Sequence, residues 1–170
     1  LDTRQGFYEE ELAQIDRQIE LLSQPNCLEL QSHPEQAKVA WKLRQRVDAW
    51  VNNLNFEIRE NRLAQGREPE DAALREQEEA LTARKKTWND MRRQLFQRKI
   101  EDAGRESFAF LAGEVLQDLH ARRRQTEGML AHNLSFQELS GRFVGKVVVA
   151  HFGFDFADDR GAWAFQALGD

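Results

Sequence analysis

The chain has 170 residues, a formal net charge of -5, a pI of about 5.5, 31% charged and 41% hydrophobic residues, and a mean hydropathy of -0.71. That length suits one domain, or one domain with an appendage, and the composition points to a thin core drawn out along helices with narrow apolar stripes. The acidic balance argues against a dedicated polyanion binder, and no apolar run reaches the roughly 18 residues of a membrane span.

No signal-peptide pattern opens the chain. The single cysteine, Cys27, excludes an internal disulfide, so no oxidising compartment is needed and the cytoplasm is the default expectation. The first residue is Leu1 rather than Met, which admits a piece of a longer protein.

Tyr8, Leu12, Ile15, Ile19 and Leu22 recur at alternating steps of four and three, the seam of a helix that packs on another helix. Pro25 should end it. Residues 25–33 then form a connection, and Ser32 with Pro34 announces a second helix. Ala40, Leu43, Val47, Trp50, Leu54 and Ile58 form its seam, widened by Val39, Val51 and Phe56. This helix is expected to run to about Ala64, with Gly66 as a left-handed stop.

Pro69, with Glu68, Glu70 and Asp71, restarts a third helix carrying Leu74, Leu81, Trp88, Met91 and Leu95 on one line. So short a turn between two long helices requires them to lie antiparallel. Residues 34–102 should therefore double back as two arms of about 45 to 50 Å each. Ala103 and Gly104 mark a kink or a break. A fourth helix follows with Phe108, Leu111, Val115 and Leu119 as its buried face, and Leu116 beside them. It fades into the basic run 121–124 and stops at Gly128.

Ser135 and Glu138 have capping-box spacing and suggest one short helical turn. Beyond it the pattern alternates. Val148, Ala150, Phe152, Phe154 and Phe156 share one strand face, "ADDRG" is turn chemistry, and Trp163 and Phe165 resume on a return strand. An isolated hairpin is marginal in water, so this aromatic face needs a cover. The expected fold is mainly α: an elongated antiparallel helical hairpin in a bundle of about four helices, with a small C-terminal β-hairpin. The expected division is a helical part over 1–133 and a turn plus β-hairpin over 134–170.

Signals for catalysis are weak. His33, His120, His132 and His151 form no metal-binding pair, Cys27 has no cysteine partner, and no phosphate loop or nucleophile elbow is present. His151 and Asp155 share a strand face about 13 Å apart, too far for a dyad. An enzyme reading would have to combine Asp158 and Asp159 with His132 or His151. The sequence thus points away from an enzyme and implies neither cofactor nor metal.

The leading expectation is a non-catalytic protein-interaction or scaffolding module that docks a partner protein or a second copy. Its candidate contact residues are Trp41, offset from its seam, and the terminal aromatics Phe152, Phe154, Phe156, Trp163 and Phe165. Trp50 and Trp88 fall on the seams and read as core. The alternative is nucleic-acid binding through the basic half of the third helix, at Arg84, Lys85, Arg92, Arg93 and Lys99. That charge order also complements the helix dipole without any ligand. No membrane partner is expected.

Overall fold

The computed structural model describes the backbone of residues 2–153 and the side chains of residues 3–139. Four α-helices account for most of it: α1 (Asp2–Leu22), α2 (Gln36–Arg67), α3 (Ala72–Gln97) and α4 (Arg105–Gly153). Single 3-10 turns stand at Cys27–Glu29 and Asp102–Gly104. None of the helices is long and apolar enough, among the described residues, to cross a membrane. The chain divides into two compact units. One holds residues 13–123, and the other holds residues 1–12 with 124–170.

Within the 13–123 unit, the helices lie antiparallel to their neighbours, as the side-chain pairs show. Early in α2, Asp48 meets Arg92 near the end of α3 at 2.9 Å, whereas late in α2 Asn61 and Arg62 meet Gln77 and Glu78 near the start of α3 at 2.9 and 2.8 Å. The doubling back expected over 34–102 is therefore present. Arg46 of α2 reaches Glu114 at 3.3 Å and also pairs with Asp118, while Trp50 meets Phe110, so α4 runs against α2. Gln14 and Gln18 of α1 bond Lys38 and Glu35 in the same reversed order.

The seams read from the sequence bury most of the expected residues. Leu43 and Val47 of α2 and Leu111 of α4 are fully buried, and Met91 and Leu95 of α3 are nearly so. Ile15, Leu21 and Leu22 of α1 join this main cluster, as does the Cys27–Leu28 turn. Burial also pushes the Cys27 thiol above its ordinary pKa. Further along the hairpin, Leu54, Ile58 and Leu81 form a separate cluster from α2 and α3 alone, and Trp88 packs against both clusters. Phe56, expected to widen the α2 stripe, is instead 53% exposed.

The helix ends depart from expectation in instructive ways. Gly66 is not a left-handed stop. The helix passes through it in ordinary geometry and ends at Arg67, and the described glycines have no positive φ. Pro69 forces the residue before it out of the helix, and Glu68 sits at φ -132. Asp71 then caps α3, its carboxylate accepting the Ala73 N–H at 2.9 Å.

At the other end, α3 stops at Gln97, short of the expected break at 103–104. Arg98 takes the left-handed conformation at φ 56, where a glycine would cost less. The site holds because Arg98 Nη1 donates to Gln36 Oε1 at 2.9 Å, tying the end of α3 to the start of α2.

Gly104 is needed for a different reason. A Cβ there would lie 2.4 Å from Gln94 Oε1, and that buried oxygen already accepts the Glu101 N–H at 2.8 Å. Gln94 cannot give way without losing this bond. Gly104→Ala is expected to destabilise the chain by about 1–3 kcal/mol, read as a lower urea midpoint at unchanged slope.

In the other unit, α1 and α4 pair through Thr126, whose hydroxyl donates to Glu11 Oε2 at 2.8 Å. Thr126 and Asn133, seven residues apart on α4, are both buried. The expected stop at Gly128 does not occur, and α4 continues unbroken through it to Gly153. A mid-helix glycine costs only about 1 kcal/mol, which packing on either side offsets. Ser135 and Glu138 likewise lie inside α4 and cap nothing. The backbone of 147–153, expected to begin the first strand, is helical, and no strand occurs among the described residues. A short β-branched run is apolar in either periodicity, so alternation alone could not separate the two states. The remainder of the expected β-hairpin, 154–170, lies outside the described residues.

Candidate protein-docking site

An aromatic cluster forms where α4 begins alongside the hairpin. Trp50 and Trp88 meet with ring centroids 4.5 Å apart and planes tilted by 57°. Phe110 of α4 lies 5.7 Å from Trp50 and 6.2 Å from Trp88. Both tryptophans are half-buried and Phe110 is 59% exposed. They line one side of a groove of about 680 Å³, whose other walls include Leu54, Glu57, Arg84 and Glu106.

Heptad spacing places Trp50 and Trp88 on the facing seams of α2 and α3, and each remains half-buried with Phe110 of α4 beside it. The Arg46 guanidinium stands 5.8 Å from the Trp50 ring centroid while bonding Glu114, which closes one end of the cluster.

Trp41 is 52% exposed on α2 and takes no part in this cluster. Phe152 lies in the helical backbone of α4, but its side chain is outside the described set. Phe154, Phe156, Trp163 and Phe165 lie wholly outside the described residues. The basic residues named on and after α3 have different neighbours. Arg92 is paired with Asp48, and Arg93 pairs with Glu101 at 2.8 Å. Arg84 lines the aromatic groove, Lys85 lines a different one, and Lys99 is exposed past the end of α3.

Two ion pairs shift the titration of their carboxylates. The hydrogen bond from Arg93 holds Glu101 below the usual carboxylate range and raises the Arg93 guanidinium. Hydrogen bonds from Arg62 and Gln65 do the same to Glu78. Each pair contributes above the unfolded glutamate pKa and is lost as pH falls through the lowered folded value. Among the described residues no group of three or more His, Cys, Asp or Glu side chains could hold a metal ion.

Phe110 went unmarked in the sequence. The available signal was its register: it stands two residues after Phe108 and one before Leu111, off the spacing that buries both. Comparison with protein-family models, with curated proteins and with solved structures finds no match in any of the three.

Proposed function

We propose that this chain is a non-catalytic docking module that engages a partner protein through the α2–α3 hairpin, with the aromatic groove as its anchor site. The observation that carries this reading is the Trp50–Trp88–Phe110 cluster, which presents a half-exposed phenylalanine backed by two fixed indole rings. Aromatic anchors in preformed grooves dominate the energetics of protein interfaces. Covering such a phenylalanine is worth on the order of 1.5–3 kcal/mol. The groove needs no rearrangement to accept a side chain, because antiparallel packing and the Arg46 pairs to Glu114 and Asp118 support the tryptophans from behind. The terminal aromatics Phe154, Phe156, Trp163 and Phe165 are not needed for this reading.

A photo-crosslinking amino acid at position 110, compared with one at Phe96, tests it in cells that make the chain. Phe96 is more exposed, at 80%, but lines neither groove. The expected result is a discrete adduct from position 110, absent from position 96 and lost when Trp88 is also changed to alanine. Equal labelling from both positions would refute the docking role of the groove.

A further inference from the structure

The hairpin carries a second groove on residues separate from the first. It holds about 450 Å³, lined on α2 by Ile58, Arg59, Arg62 and Leu63 and on α3 by Thr82 and Lys85. Among the described residues its charged lining is wholly basic, in a chain whose formal charge is -5. Arg62 spends its Nε on Glu78, but Arg59 and Lys85 form no ion pair among the described residues. The Arg59 guanidinium stands 5.4 Å from the ring centroid of Phe56. Phe56 and Leu63 are 53% and 52% exposed. Phe56 lies outside the lining of the groove, so Leu63 is the exposed apolar residue within it.

We propose that this groove docks an acidic amphipathic helix of a partner protein. Its carboxylates meet Arg59 and Lys85, and its apolar face covers Leu63. The proposal rests on the docking reading above and gives the partner its chemistry. Charge complementarity selects the occupant: Arg62 is already matched by Glu78, but Arg59 and Lys85 carry no ion pair among the described residues, so they repel a basic segment and leave a neutral one with unmatched charge. The form of the groove selects a helix, because two antiparallel helices side by side leave a channel that a third can enter.

A nucleic acid would satisfy the same cations but fits the remaining surface less well. The lining holds no aromatic ring on which a base could stack; its exposed apolar residue, Leu63, is aliphatic. The chain's overall negative charge also opposes a polyanion.

Selection of displayed random sixteen-residue peptides on the full chain tests this, followed by titration of the best binder. The expected peptides are rich in Asp and Glu, with Leu or Phe at helical spacing. Their affinity should fall at least tenfold in the Arg59→Glu/Lys85→Glu double variant and in Leu63→Ser, and stay within twofold in Phe96→Ala. Circular dichroism confirms that these variants remain folded. Neutral or basic selected peptides, indifference to the double variant, or no selected peptide would each overturn the proposal. A thymidine oligonucleotide that binds more tightly than the peptide, and is lost in the double variant, would assign the groove to nucleic acid instead. If position 110 still crosslinks while any of these results is obtained, this inference fails alone; if position 110 is also silent, the docking reading fails with it.

Discussion

Leu43→Ala is expected to lower the stability of the chain by about 3 kcal/mol, within the range of about 2–5 kcal/mol seen when a buried leucine is truncated. Leu43 is fully buried in the first third of α2, among residues contributed by all four helices. Neither its own helix nor its neighbours can close the void without breaking antiparallel pairs such as Asp48–Arg92. Urea denaturation followed by circular dichroism measures the loss. Leu63→Ala on the same helix provides the contrast. Leu63 is 52% exposed, so its truncation removes far less buried area, and the expected change stays within about 0.5 kcal/mol. Equal effects from the two substitutions would mean that α2 does not bury the face described here.

Trp88→Ala is expected to cost about 2–3 kcal/mol and to uncouple the outer hairpin from the main cluster. Trp88 packs against both clusters, and its contact with the Trp50 ring adds to the area it covers. The estimate lies below that for a fully buried tryptophan because one edge of the ring already meets solvent. Beyond it the outer hairpin depends on Leu54, Ile58 and Leu81 and on surface pairs such as Arg62–Glu78. Exposed pairs of that kind are worth little individually.

Hydrogen exchange should therefore show selective loss of protection over residues 58–84, with residues 39–47 affected much less. Uniform loss across both regions would show that Trp88 is simply one more core residue. The same variant should also abolish crosslinking from Phe110, which ties the stability of the hairpin to the proposed docking site.

The sequence carried the helical elements and most of the seams, because a period of about 3.6 is strong over 20 to 30 residues. Ala40, Leu43 and Val47 of α2 were readable as buried, as were Met91 and Leu95 of α3. The candidate site was only partly legible. Trp50 and Trp88 were visible as seam residues of the core, but half-burial of both rings depends on how much room α4 leaves beside them. Phe110 was invisible as a partner because its neighbours come from two other helices. The basic groove was hidden for a similar reason. In sequence Arg59 and Arg62 stand among the acids Glu57 and Glu60, and only the pairing of α2 with α3 gathers them with Lys85.

Segment ends were the least legible feature, and the physical cause differs at each. Proline acts through its own ring and marked the α2–α3 turn correctly. Glycine merely permits a left-handed or crowded backbone, so its presence at 66 and 128 did not stop a helix that packing sustained. At Arg98 the reverse held: a non-glycine residue adopts the left-handed geometry because Gln36, 62 positions away, receives its guanidinium.

What the sequence determined by itself was therefore the local periodicity up to about residue 128: where the helices of that part form, which face of each is apolar, and that 34–102 must fold back on itself. Tertiary structure decided which apolar and charged residues stay at the surface and which groups share a groove, because exposure depends on neighbours that no single helix contains.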